Sequence, residues 1–556
     1  MDDHHPIAGF MKNADEKVKA YEEGISRTFK ETVNKYRRKY GRHPPPGFRD
    51  WYKFAREKGV YNIDDFEQVM DDIRPFWGVE PSLIRKYAST LALNEGAGLS
   101  GCYIRDKKIW KTTHVNWRME NFQKLVEKFV KYLPDMDIVM NRHDQPRVTV
   151  PWDDLQALLK KEEQGRRVAP EVLASWSTNM TGFYVENANL SSVDIPDPKW
   201  TDHPRQQYMN LAKEACPPDS PARNPNHNKE EVEASYKDPI SGLVTNFNKT
   251  SDLCVIGPEI QDKHGFLFSA ATLVNSKQLL PIFGECKVNV NNDILFPANM
   301  YYNHDTRYFY NAENDYNWDD KHDTMLWRGV TSGGTGDADN WRKMHRQRLQ
   351  LATNGTELVD KRVRLLKQEP EKPGYYTTME NFNAGLFMKQ NTDVAFTAGV
   401  DCIPARSKDE GGGCPFYDNV WTFAPEILLA AQFRNKYLID VDGASFSGRW
   451  RAFLQSKSLG LKATIFREWH DSRLFAWKHF VPVDHRYDDI YSILTYFIGL
   501  GKATEASYSG EPYVQRHDFE GRKIANQGRE WASKVLRDED IEVRTNFLPE
   551  DKVCRR

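Results

Sequence analysis

Between residues 11 and 41, apolar side chains recur three or four positions apart, at Val18, Tyr21, Ile25, Phe29, Val33, Tyr36 and Tyr40, and charge fills the rest. That spacing places them on one stripe and predicts a single long amphipathic helix. Gly41 and the run Pro44-Pro45-Pro46-Gly47 end it. The element reads as an N-terminal arm that clasps the main body or a second subunit.

Helical spacing returns over 121–134, through Leu125, Val126, Phe129, Val130 and Leu133. The run MDIVM (136–140) is short and continuously apolar, so it reads as a buried strand, followed by the polar loop NRHDQPRV. From 215 to 240 the chain is rich in Pro, Asn and charge and predicts loop alone. Residues 300–324 are acidic and aromatic and read as a connection between two bodies. Beyond it the alternation is regular. MLWRG (325–329) is a strand, VTSGGTGDAD a glycine-rich turn, and 340–353 a helix bearing Arg342, His345, Arg346 and Arg348. Tyr437–Val441 is a strand, followed by a Gly/Ser turn and a helix. LKATIF (461–466) and HFVPV (479–483) are further strands, with a helix over 488–499. Repeated strand–helix units imply an α/β body whose parallel sheet is covered on both faces.

Composition narrows the class. The chain has 556 residues, 28% charged and 39% hydrophobic, as expected of a soluble globular protein of two to four domains. A net charge of −2 gives the whole chain no electrostatic reason to bind nucleic acid or an anionic membrane. No apolar run approaches membrane-spanning length, and the N-terminus lacks a signal-peptide core. Taken literally the chain is neither inserted nor exported, or it is the soluble part of something longer. None of the seven cysteines forms a CxxC pair. Cys402 and Cys414 flank a GGG loop, and Cys216 and Cys254 a Pro/Asn-rich one, so each pair suits a disulfide; buried free thiols are the alternative. Sequons at Asn179, Asn189, Asn248 and Asn354 are no more than this composition yields by chance.

Candidate chemistry gathers at two turns. In DVDGASFSGRW (440–450), Ser447 stands where an N-cap belongs, Gly448 permits close backbone approach, and Arg449 lies in the first helical turn. A helix N-terminus with an arginine suits phosphate; a capped helix with solvated arginines is the plainer alternative. At the other turn Arg328 and Gly329 end a strand and Arg346 lies on the next helix, without the Gly-Lys-Ser/Thr of a Walker loop. Together the turns suggest a diphosphate held from two sides. Asp440 and Asp442 form a DxD, but the chain has other matches, and both read as structural and turn residues rather than metal ligands. Asp144 follows a buried strand in a loop fixed by Pro146, where a carboxylate can serve as general base or merely cap its own turn. His143 is the alternative base. The chain has no HExxH and no GxSxG, so zinc-hydrolase and esterase readings lose ground.

Several segments, among them KYGRHPPPGFRDWYKFA, DDFEQVMDDIRPFWGV, ACPPDSPAR, LWRGVTSGG and KYLIDVDGASFSGRWRAFLQSKSLGLKATIFREWHDSRLFAWKHFVPV, resemble glycosyltransferase family 90. This is the family of fungal capsule-associated xylosyltransferases and animal protein O-glucosyltransferases, and the likeness runs from about Tyr36 to about Phe497. It implies a GT-B fold: two Rossmann-like domains facing across a cleft. It also implies an inverting, metal-free transfer from a UDP-sugar to a glycan hydroxyl. By the same resemblance Asp144 is the base, and Arg328, Gly329, Arg346, Ser447, Gly448, Arg449 and Glu468 contact the donor. The implied division is an arm over 1–48, an acceptor-side domain over 49–320, a donor domain over 321–515, and a C-terminal helix and tail over 516–556 that packs back on the N-terminal domain. A Golgi or other secretory lumen is implied by the family alone, and it favours the two disulfides. The chain ends DKVCRR rather than in the endoplasmic-reticulum retrieval signal of animal members, and it lacks the membrane anchor usual at the start of fungal ones. Xylose is the first expectation for the sugar, with glucose or galactose open. No resident cofactor or metal and no nucleic acid are expected; self-association through the N-terminal helix is an open expectation. The alternatives are a glycoside hydrolase using Asp144 as one of two carboxylates, and a catalytically inactive carbohydrate-binding relative.

Overall fold

The computed structural model describes residues 3–166, 197–202, 205, 207–369, 371–407, 409, 412–509 and 511–550, so Asn179, Asn189 and Cys554 lie outside the described residues. The first of two five-stranded sheets comprises β1 (Leu99–Arg105), β2 (Lys108–Thr113), β3 (Met136–Asn141), β4 (Ile282–Gly284) and β5 (Ile294–Leu295), in the order β2-β1-β3-β4-β5. It is mixed: β1 runs antiparallel to both neighbours, and only β3, β4 and β5 are mutually parallel. Asp106 and Lys107 close the β1–β2 hairpin with both φ values positive, the backbone a two-residue hairpin needs to match strand twist.

The second sheet comprises β6 (His322–Gly329), β7 (Thr392–Phe396), β8 (Asn435–Val441), β9 (Leu459–Ala463) and β10 (Val481–Pro482). Its order is β7-β6-β8-β9-β10 and every pairing is parallel. All of β8 and β9 is buried, as the α/β pattern predicts for strands covered on both faces. The chain goes from β6 out to β7 on one side, then returns to β8 on the other. The gap beyond the carboxyl ends of β6 and β8 is therefore the topological switch point, where open parallel sheets bind ligands.

The two bodies share apolar core. One cluster joins Ile138, Met140 and Phe296 of the first to Leu326, Leu438, Trp450 and Phe453 of the second. Its members lie on elements contributed by both halves, so the connection over 300–324 is packed structure as much as linker: Tyr301 and Trp318 are buried within it.

Several boundaries differ from the sequence pattern. The arm is two helices, Pro6–Glu23 and Phe29–Tyr40. Gly24 caps the first, and a Thr28–Glu31 capping box restarts the second, so local capping overrides the continuous apolar stripe. The first helix buries Ile7, Met11 and Ala14 in the second body's core, and the second buries Tyr36 in the shared one. The arm's apolar faces are thus used within the chain. The helix expected over 121–134 is Trp117–Val126, started early by the Asn116 cap, with a separate 3-10 turn at Val130–Tyr132. The region 215–240 contains a short helix, Lys229–Ala234, capped by Asn228. The helix of 340–353 begins only at His345, after a 3-10 turn.

At the C-terminus, helix Asp518–Val535 packs on helix Trp450–Gln455, while Asp538–Glu550 returns to the first body. There the Trp51 indole donates to the Val543 carbonyl at 3.1 Å, and Phe547 stacks on Phe66. Both disulfides, Cys216–Cys254 and Cys402–Cys414, form; Cys102 and Cys286 are buried free thiols. Among the described residues no helix is long and apolar enough to cross a membrane.

Candidate active site

The switch point is lined by arginines. Arg346, on the helix after β6, is buried and spans the gap: its Nη1 donates to the Val330 carbonyl and Ser332 Oγ, both at 2.9 Å, and its Nε to the Asp442 carbonyl at 2.7 Å. Gly443 leaves room for it, because a Cβ there would lie 2.9 Å from Arg346 Nη2. Arg449, after β8, donates to the Arg328 carbonyl at the end of β6. Among the described residues neither guanidinium has a carboxylate partner within ion-pair distance. Burial, and then the neighbouring Arg449 charge, push Arg346 down to about 10. Burial also lowers Arg449, against the pull of Asp440. Two cations held close by carbonyls and a hydroxyl, at the carboxyl edge of a parallel sheet, form a receptor for an anion with more than one charge.

The other expected donor residues are placed differently. Arg328 is bound bidentate to Asp393 on β7, both contacts at 2.7 Å, so its side chain ties two strands while its carbonyl holds Arg449. Gly329 fits under the Trp327 ring, 2.8 Å from a hypothetical Cβ. Ser447 is not the N-cap. The residues after Asp442 turn on themselves, helix Trp450–Gln455 begins later, and its cap position is Arg449, which makes no side-chain capping bond. Gly448 does allow close approach, but of Met300 Sδ and the Tyr308 ring from the connecting segment. Glu468 is buried: Tyr301 donates to its Oε2 at 2.5 Å, and Lys462 and His470 lie at 3.6 and 3.4 Å. Burial works against a charged His470, but the Glu468 and Asp471 carboxylates outweigh it and hold the ring up to about 9.

The glycine-rich turn serves packing. A Cβ on Gly334 would collide with the Gly265 backbone at 2.7 Å, and Thr335 N donates to the Ser269 carbonyl at 2.7 Å. These glycines therefore join the second body to helix Gly265–Ser269. Asp440 and Asp442 are both engaged by neighbouring groups of the fold. Asp440 pairs with Lys462 at 3.0 Å; Asp442 accepts from Thr464 Oγ1 and from Ile465 N at 2.8 Å, and lies 3.3 Å from the His264 ring. Burial pushes Asp442 up to about 7. Among the described residues no three His, Cys, Asp or Glu side chains gather as metal ligands.

Asp144 stands at the carboxyl end of β3, on a loop that reaches the donor turn. Gln145 makes the bridge: its Nε2 donates to the Ala444 carbonyl at 3.2 Å, and its Oε1 accepts from Thr272 Oγ1 at 2.8 Å. Asp144 accepts from Arg118 Nη2, while Arg118 Nε donates to Glu285 at 3.1 Å. Asp401, on the loop after β7, also senses this site. Partial burial and the Asp144 charge push it up against the opposing pull of Arg346. His143 is lowered by burial and by Arg147 and Arg142. Sequence reasoning missed Arg118, Gln145, Glu285 and Asp401. For Asp401 only its place after a strand in the α/β register offered a signal.

The second body is a parallel α/β sheet with an arginine-lined switch point, a place where such sheets accommodate ligands. Residues 418–544 match the model of glycosyl transferase family 90, and that match supports placing the chain in this family. The matched span contains β8, the Arg449 turn, β9 and Glu468. The match supports a glycosyltransferase.

Proposed function

We propose that the protein is an inverting glycosyltransferase of GT-B architecture that transfers a sugar, with xylose the first candidate, from a UDP-sugar to a hydroxyl of a glycan. The observation that carries this is the Arg346–Arg449 pair at the switch point, joined through Gln145 to the Asp144 loop. In this reading the two mixed and parallel sheets are the two Rossmann-like domains. Asp144 takes the proton of the acceptor hydroxyl as its oxygen bonds to the anomeric carbon from the face opposite UDP. The bond from that carbon to the phosphate oxygen breaks, and its electron pair leaves on UDP. Arg346 and Arg449 stabilise the growing diphosphate charge without a metal. Glu468 acts from behind, holding Lys462, which pairs with Asp440 on β8.

Trp117 supports an acceptor made of sugar rings. It is 42% exposed, and its ring lies 4.5 Å from the Arg118 guanidinium that holds Asp144. A pyranose stacked there would bring its hydroxyls beside the base. Two disulfides fit a secretory compartment, in keeping with a Golgi address. Asp401 keeps a second reading in view, a glycoside hydrolase with two carboxylates, for which the arginine pair has no use. The deciding experiment screens UDP-sugars for UDP release with and without candidate glycans. Glycan-dependent UDP release supports transfer; free sugar released from a glycan without UDP-sugar supports hydrolysis.

A further inference from the structure

The proposed base is held by a charge relay that its own position in sequence does not reveal. Arg118, on helix Trp117–Val126, has three acceptors: Asp144, the Arg142 carbonyl at 3.0 Å and Glu285 at 3.1 Å. Its side chain is 10% exposed and that of Glu285 6%, whereas Asp144 is 52% exposed. Glu285, just after β4, is fixed on its other oxygen by Asn299, whose backbone N and Nδ2 donate at 3.0 and 2.9 Å. The line therefore runs from a rigid buried acid, through a rigid arginine, to an accessible acid at the mouth of the site.

An arginine alone beside a general base would fix its direction but weaken it, because a full positive charge favours the carboxylate over the protonated form. A buried carboxylate on the arginine's far side offsets that charge. We infer that Arg118 is the positioning residue for Asp144, and that Glu285 preserves the basicity of Asp144 by neutralising Arg118. This rests on the reading of Asp144 as the base. The other charged groups facing Asp144 are His143 beside it and Asp401 across from it; Arg142 and Arg147 act on His143, and Arg346 on Asp401. None of these contacts Glu285 in the relay, so the two relay residues can be varied separately.

The test is the pH dependence of kcat/KM for sugar transfer, measured on the full chain carrying Arg118→Met or Glu285→Gln. The two changes pull in opposite directions. Arg118→Met removes the cation, so the acid limb moves to higher pH, by about one unit for the loss of an opposite charge in contact. Glu285→Gln keeps size and the contact with Asn299 but leaves the Arg118 charge unopposed. Its acid limb moves to lower pH, and its plateau rate falls about three- to tenfold as the base weakens. UDP affinity stays at the wild-type value in both, which also reports folding. If Arg118→Met does not fold, Arg118→Lys, which keeps the charge without the fork, should lose rate with little limb shift. A merely structural role lowers rates without opposed shifts, and shifts in the same direction, or none, would overturn the inference. Near-normal transfer by Asp144→Asn would instead remove the reading of Asp144 on which it rests.

Discussion

Replacing Arg449 by Met should separate ligand binding from folding. In the protein without ligand, Arg449 supplies one bond to the Arg328 carbonyl and repels Arg346. The lost bond costs about 1 kcal/mol, and relief of the repulsion returns a similar amount, so the unliganded melting temperature should barely change. With UDP the balance differs. A charge-assisted contact contributes roughly 1.5–3 kcal/mol, so affinity should fall about ten- to hundredfold. At UDP one hundred times the wild-type Kd, binding stabilises the native protein by about 2.7 kcal/mol; a variant binding about thirtyfold more weakly keeps about 0.9 kcal/mol at the same concentration. The UDP-induced rise in melting temperature should therefore shrink to about a third. Calorimetric titration gives the Kd directly, and thermal melts with and without UDP give the two stabilities. Unchanged UDP affinity in a folded Arg449→Met protein would refute the reasoning and leave Arg449 as a helix-end residue.

Asp144→Asn keeps its shape but cannot take the proton, so turnover should fall by about 10²–10⁴ while calorimetry shows nearly normal UDP binding. Transfer should survive excess EDTA if, as proposed, the arginine pair does the work a metal would do; loss with EDTA, restored by manganese, would return Asp440 and Asp442 to consideration. His470 is raised in the folded protein from 6.5 to about 9, so its contribution to stability is complete below pH 6.5 and lost as pH rises through 9. The melting temperature of His470→Gln should accordingly fall less than wild type between pH 7 and 10, and an identical alkaline decline would show that Glu468 and Asp471 do not charge that ring.

Four of the second sheet's five strands were legible as mainly apolar runs set between helical periods, Tyr437–Val441 buried throughout, whereas the half-buried edge strand β7 was not read. The first sheet was mostly not. β4 and β5 have three and two residues, too few for any period, and the β1–β2 hairpin belongs to no strand–helix unit. The arm broke because a glycine cap and a capping box act over four residues, while an apolar stripe only constrains which face is buried. At the site, residue type picked out arginines that the structure places together, but not their individual contacts. Arg328 and Arg346 both follow the same glycine-rich logic in sequence, yet only the strand order shows that Asp393 lies beside the first. Gly448 read as room for a ligand because the sequence cannot show Met300 arriving from 148 residues away. Arg118 and Glu285 are 167 positions apart, and nothing local marks either.

Among the described residues, Arg346 and Arg449 have carboxylates nearby but none within ion-pair distance, unlike several deeply buried cations of this protein. Lys321 lies 2.6 Å from Asp315, Lys237 2.7 Å from Asp484, and Lys287 2.5 Å from Asp72, each pair deep in the structure. Such pairing is what desolvation demands of a purely structural charge. Arg348 shows that carbonyls alone can also hold a buried guanidinium: it ties Lys263, His485 and Arg486 together. Arg348 stands alone, however, whereas the Arg449 charge adds to burial in lowering Arg346. A fold gains nothing from placing two like charges together when Asp440 and Asp442, at the carboxyl end of β8, are committed to Lys462, Thr464 and Ile465. On the proposed function, the arrangement becomes favourable when a third, negative group enters between them. Its stability without ligand and its affinity for that ligand are then opposed, and a site that favours the product-like diphosphate of a departing nucleotide is the simplest chemistry to which that opposition belongs.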